Sequence, residues 1–133
     1  MTLELEEKNA LIAYRLQKAY KSLKEAQDNA NLGHWTLAAN RLYYSVYYAS
    51  TALLINQDIE THTHSGMIRL VGMKFVNEGV LTKEEGRLLS RLFDMRQTGD
   101  YDDFFEWTEE DVEPFFDKAL SLIQKIEELI RTM

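Results

Sequence analysis

The stretch from Trp35 to Asn56 leaves the backbone little choice. Trp35, Ala38, Ala39, Leu42, Val46, Ala49 and Leu53 recur at steps of three and four, and Tyr43, Tyr47, Ser50 and Leu54 form a second stripe beside them. A repeat near 3.6 residues places each set on one face of a helix. A helix that is apolar on two faces must be packed from more than one side, so this one is expected at the centre of a bundle. Its tyrosines add hydroxyls that need partners once buried.

Other segments share the period. A helix from about Leu5 to Ala30 turns Ile12, Leu16, Ala19, Leu23, Ala26 and Ala30 inward, with Lys8, Lys18, Lys21 and Lys24 mostly off that stripe. Gly33 suits the left-handed residue that ends it. A third helix, about Ser65 to Asn77, faces Ile68, Val71 and Phe75 inward and ends near Gly79. Thr82-Lys83-Glu84-Glu85 is a capping box that opens a fourth helix reaching about Thr98, where Gly99 is expected to turn the chain. Residues Asp100 to Trp107 read as an acidic, aromatic loop. The last helix starts at Thr108, and Pro114, too deep for the first turn, predicts an irregular start. No segment alternates with period two, and one Pro and six Gly in 133 residues argue against a turn-rich sandwich or barrel. The expectation is an all-α, up-and-down antiparallel bundle of four or five helices. With no repeat and no linker, residues 1–133 form a single helical domain.

Composition narrows the chemistry. The absence of Cys excludes disulfides, thiolate zinc sites and a cysteine nucleophile. No apolar run approaches the roughly 20 residues of a membrane span, and the acidic opening Met1–Glu7 is unlike a signal peptide; a cytoplasmic protein with no membrane partner is expected. The net charge of −7 is uneven. Nine acids and no Lys or Arg lie between Asp100 and Asp117, while the rest of the chain carries 13 acids against 15 bases. An anionic ligand is therefore expected to approach from the side away from this patch, supported by Arg41 or the lysines of the first helix.

Arg96 stands out. Leu89, Leu92 and Arg96 share one helix face, so the guanidinium continues a core stripe, where it is costly unless it is paired or lines a cavity. Asp100 follows four residues later and Tyr101 after it. The cluster reads as a pocket for a phosphate or nucleotide, or as an Arg–Asp pair that caps the helix. Arg41, Tyr44, Ser45 and Tyr48 form a polar, aromatic face on the second helix, which serves either a ligand or a packed seam between helices or subunits. His62 and His64 find no third metal ligand nearby, so no metal and no cofactor are expected. No Gly-x-Ser-x-Gly and no phosphate-cradling Gly-rich loop occur.

Ala39-Asn40-Arg41-Leu42-Tyr43-Tyr44-Ser45-Val46-Tyr47-Tyr48-Ala49, then His64-Ser65-Gly66, Phe75-Val76-Asn77-Glu78-Gly79 and Arg96-Gln97-Thr98-Gly99-Asp100-Tyr101, resemble the HEPN domain family in order and spacing, over about Asn9 to Leu129. The resemblance implies a helical bundle that commonly dimerises, with the functional groove at the two-fold interface. It also implies frequent pairing with a minimal nucleotidyltransferase as a toxin–antitoxin or related pair. Active members are metal-independent ribonucleases with an Arg-x(4–6)-His motif, and in some members a tyrosine of that region is modified by the partner. Arg96 matches the motif's Arg. The His does not follow, since Asp100, Tyr101 and Asp102 stand in its place and no His occurs after His64. Histidine is the side chain that changes charge near neutral pH unaided, so its loss bears directly on acid–base chemistry.

Three readings follow. In the first the chain is a non-catalytic HEPN module, a homodimer that binds a nucleotidyltransferase and a nucleotide or RNA near Arg96, with Arg41, Tyr44, Tyr48 and His64 as ligand contacts; no DNA is expected. In the second it is a ribonuclease toxin using Arg96 with Asp100, Tyr101 or His64. In the third it is a structural interaction module. The missing His favours the first. Trp35, Trp107 and the Tyr44/Tyr48 face are more aromatic surface than one small bundle must bury, which argues for dimerisation.

Overall fold

The computed structural model describes residues 4–133, so Met1, Thr2 and Leu3 of the acidic opening lie outside it. Among the described residues there is no strand. The helices are α1 (Leu5–Asn31), α2 (Trp35–Asn56), α3 (His64–Val71), α4 (Lys83–Tyr101), the single turn α5 (Glu109–Val112) and α6 (Phe115–Thr132); a π-helical turn, Gly72–Val76, continues α3.

The centre is α2. Ala38, Ala39, Leu42, Tyr43, Val46, Ala49, Leu53 and Leu54 are all buried, and α1, α4 and α6 all pack against it. Its two stripes are thus both used, as the double periodicity requires. Small residues let its neighbours approach: Ala19, Ala26 and Ala30 of α1 meet it in the core. Leu16 and Leu23 are only half-buried, on a helix that packs chiefly against α2 and more lightly against α6. The α1–α2 turn closes on Gly33 at φ 79°, a left-handed conformation that costs a residue with a Cβ.

The capping box of α4 is present: the Thr82 side chain accepts from the Glu85 amide at 3.1 Å, and the Glu85 carboxylate accepts from the Thr82 amide at 2.8 Å. The same carboxylate receives Lys125 of α6 at 2.7 Å, so one acid caps a helix and fastens a neighbour. That double use holds Glu85 below the ordinary carboxylate range even though burial opposes it. The expected irregular start of the last helix is a break: α5 ends, Pro114 intervenes, and α6 begins.

Gly99 departs from expectation. It does not turn the chain; α4 continues through it to Tyr101, three residues beyond the anticipated end. A Cβ at Gly99 would lie 2.9 Å from Cγ2 of Thr36 and 3.3 Å from the Trp107 indole. Its smallness admits the neighbours, and its backbone freedom goes unused. Trp107 occupies the space: its indole N–H donates to the Met95 carbonyl and its amide to the Thr36 hydroxyl, both at 2.9 Å. The acidic loop is therefore pinned at its far end across α4 and α2.

Candidate functional site

The extension of α4 carries Asp100 and Tyr101 on the same helix as Arg96. As its stripe predicts, the residue is buried, at 7 % exposure. Its nearest carboxylate, Asp100, is 3.8 Å away, and its Nε has no hydrogen-bond partner. Aromatic faces take the place of anions. The guanidinium carbon lies 5.4 Å from the ring centre of Tyr43, 5.6 Å from those of Tyr44 and Phe93, and 6.0 Å from that of Tyr101. Each such contact attracts a cation through the ring quadrupole without neutralising its charge.

Asp100 is turned toward α2. Asn40 donates to both its carboxylate oxygens, at 2.9 and 3.2 Å. Asn40 in turn accepts from Arg41 at 3.3 Å, and Arg41 reaches Glu25 and the Ser22 hydroxyl of α1, each at 3.2 Å. A polar relay thus crosses three helices, from Glu25 through Arg41, Asn40 and Asp100 to Arg96.

The second convergence brings in His64. It is the first residue of α3, behind the Thr63 cap whose side chain accepts from the Gly66 amide. Its ring lies 5.5 Å from Tyr43, 6.0 Å from Tyr44 and 6.0 Å from Phe93, three of the rings that hold Arg96, and 4.8 Å from Tyr47. His64 Nδ1 shares a 2.6 Å hydrogen bond with the Tyr43 hydroxyl. Burial first, and the Arg96 charge second, lower the imidazole below its ordinary 6.5. Burial raises the Tyr43 phenol strongly, against an opposing pull from Arg96, so it remains an O–H at any physiological pH. With that O–H as donor, Nδ1 accepts, and the proton of the neutral imidazole sits on Nε2.

One family profile matches the chain: that of the HEPN domain covers residues 12–129. The chain belongs to the HEPN domain family. Among the relatives of this HEPN protein, a UPF0332 protein of Thermotoga maritima is 33% identical over 129 residues, 97% of this chain and 98% of that one. A protein of Methanocaldococcus jannaschii named "Putative toxin MJ0142" is 30% identical over 110 residues, covering 83% of this chain and 75% of its own. A UPF0332 protein of Archaeoglobus fulgidus is 28% identical over 118 residues, 84% and 94% of the two chains.

Within the HEPN bundle, the residues singled out in the sequence fall into one neighbourhood with different degrees of engagement. Arg96, Tyr44 and His64 meet. Asp100 joins them at Arg96, 3.8 Å away, and is held in place by Asn40. Tyr101 touches Arg96 with its ring while remaining 74 % exposed. Tyr48 lies one turn along α2, 6.1 Å ring to ring from Tyr44. Arg41 stacks on Tyr44 at 5.1 Å, but its two terminal nitrogens are engaged by α1 and Asn40, and only its Nε is left without a partner. The sequence did not single out Phe93 or Asn40 as site residues; Asn40 had no visible partner until Asp100 was placed opposite it. Tyr43 carries the hydrogen bond to His64 from the buried stripe. Among the described residues no group of three His, Cys, Asp or Glu is arranged to hold a metal, and no helix is long and apolar enough to cross a membrane.

Proposed function

We propose that this chain is a toxin-type HEPN module that binds RNA or a nucleotide at the Arg96–His64 neighbourhood, acts as a homodimer whose interface borders that face, and works beside a minimal nucleotidyltransferase. One observation carries the binding role. A buried guanidinium is held by four ring faces and only a distant carboxylate, so its charge is left for an anion. The unpartnered Nε is sealed from solvent, so a phosphate gains its charge-assisted hydrogen bond once the exposed Tyr101 ring moves aside. The toxin-type role is supported by relatives that carry that name, and the dimer and the nucleotidyltransferase by membership of the family.

A second reading, a metal-independent ribonuclease, is favoured by the position of His64. The motif lacks its later His, yet this imidazole shares three rings with Arg96 and is neutral at pH 7. In that reaction Arg96 would hold the scissile phosphate, and Nε2 would accept a proton once the Tyr43 hydrogen bond reverses, Nδ1–H then donating to the phenol oxygen.

Incubation of purified protein with single-stranded RNA in the presence of a chelator separates the two. Binding with intact RNA, lost in Arg96→Gln, supports the first reading. Cleavage abolished by His64→Gln supports the second. Neither binding nor cleavage would discard both. Co-expression with the neighbouring reading frame tests the partner: a nucleotidyltransferase that elutes with this chain supports it, and separate peaks refute it.

A further inference from the structure

A cleft of about 300 Å³ opens beside His64, where α1 runs past α2. Tyr14, Arg15 and Lys18 come from α1, Tyr44 and Tyr48 from α2, and His64 closes one end. No acid lines it. The two cations are set against phenol rings: Lys18 Nζ lies 5.0 Å from the centre of Tyr48 and 5.4 Å from that of Tyr14, and the Arg15 guanidinium carbon 5.8 Å from Tyr48. Among the described residues neither enters an ion pair, whereas Lys8, Lys24, Arg41 and Lys125 all do. The Tyr14 hydroxyl, as a hydrogen-bond partner, holds the Lys18 ammonium above its ordinary range. Tyr14 is half-exposed and presents a ring to solvent. The nine acids of residues 100–117 contribute nothing to this cleft.

Cations held by rings with no carboxylate nearby, beside an open phenol face, match a phosphate joined to an unpaired base. Ring faces read bases only when these are out of a duplex, and cations beside them take the backbone. We infer that the Tyr14–Arg15–Lys18–Tyr48 cleft is a subsite for single-stranded RNA, holding a nucleotide that neighbours the one at Arg96, with Arg15 and Lys18 on its phosphate and Tyr14 stacked on its base. Tyr44 and His64 join this subsite to the Arg96 neighbourhood. The inference rests on the RNA reading proposed above and adds strand selectivity to it.

The test uses full-length protein and a fluorescein-labelled 12-nucleotide RNA, single-stranded or annealed to its complement, followed by anisotropy across a salt series. Wild type should prefer the single strand. The double variant Arg15→Gln/Lys18→Gln should bind it at least tenfold more weakly, with the slope of log affinity against log salt reduced by about 0.7, the loss of one neutralised single-strand phosphate. Tyr14→Ala should weaken binding with the slope unchanged. These positions lie at the surface of α1, and thermal unfolding matching wild type confirms that the fold is kept. If wild type binds while both variants keep its affinity and slope, the subsite is wrong and the RNA reading stands. Equal affinity of wild type for single strand and duplex also overturns the subsite. If wild type binds no RNA, the parent reading falls and the subsite with it.

Discussion

Arg41 and Arg96 are two arginines on one relay, and they are satisfied in different ways. Both lean on Tyr44, at 5.1 and 5.6 Å, and both bury an Nε with no partner. Arg41 is otherwise bonded at its ends, to Glu25, Ser22 and Asn40. Arg96 is caged by rings and meets its carboxylate only at 3.8 Å. The difference separates a structural cation from an available one. Arg41 ties α1 to α2, and its charge is answered. Arg96 lies deeper, and its charge is shielded from water without being cancelled, which is what an anion site requires.

The contrast breaks most sharply under paired substitution. Arg41→Met strands the Ser22 hydroxyl, which is 2 % exposed, and removes a half-exposed ion pair. A loss of about 1–2 kcal/mol is expected in urea unfolding, most of it from the orphaned hydroxyl. Arg96→Met removes a poorly paired buried cation and leaves Asp100 held by Asn40, so stability should stay within about 1 kcal/mol of wild type. RNA affinity should respond in the opposite order. A larger stability loss from Arg96→Met than from Arg41→Met would erase the distinction.

Tyr43→Phe comes next. It removes the one hydrogen bond that orients His64, at a cost of about 1 kcal/mol in stability. In ¹⁵N spectra the imidazole should also lose its fixed tautomer. A single tautomer retained in Tyr43→Phe would show that the rings alone position His64.

The smallest effect is in the pH profile. His64 is lowered in the folded state, so between the ordinary 6.5 and its folded value the unfolded chain binds the extra proton. Its contribution to stability is complete above 6.5 and declines as pH falls through that window. His64→Gln should flatten the decline, with midpoints measured from pH 7.5 to 5. An unchanged slope would assign the decline to other groups.

The bundle itself was legible in the residues. Apolar periodicity marks each long helix, because burial on one face is what makes a helix pay its ordering entropy in water. The capping box at Thr82, the stop at Gly33 and the break at Pro114 are local chemistry and appear where local chemistry puts them. Gly99 was misread for the same reason. A glycine after a helical run signals a turn locally, while its actual role is to admit Thr36 and Trp107, both remote in the chain. Arg96 was legible as an inward cation, since its position on the Leu89–Leu92 stripe is a matter of spacing alone.

What surrounds Arg96 was decided only by the tertiary structure. Tyr43 and Tyr44 come from α2 and His64 from the start of α3, and no spacing rule relates these to Arg96; Phe93 alone, three residues earlier on α4, is a neighbour by helical spacing. Asn40 meets Asp100 across 60 residues, and Tyr43 meets His64 across 21. Lys18 faces Tyr48 only because α1 folds back along α2. The sequence by itself determined which faces are buried and that one of them carries a charge. Burial follows from periodicity along a single helix, whereas the partners of a buried charge follow from how separate helices cross, and that crossing is set by packing around the core as a whole.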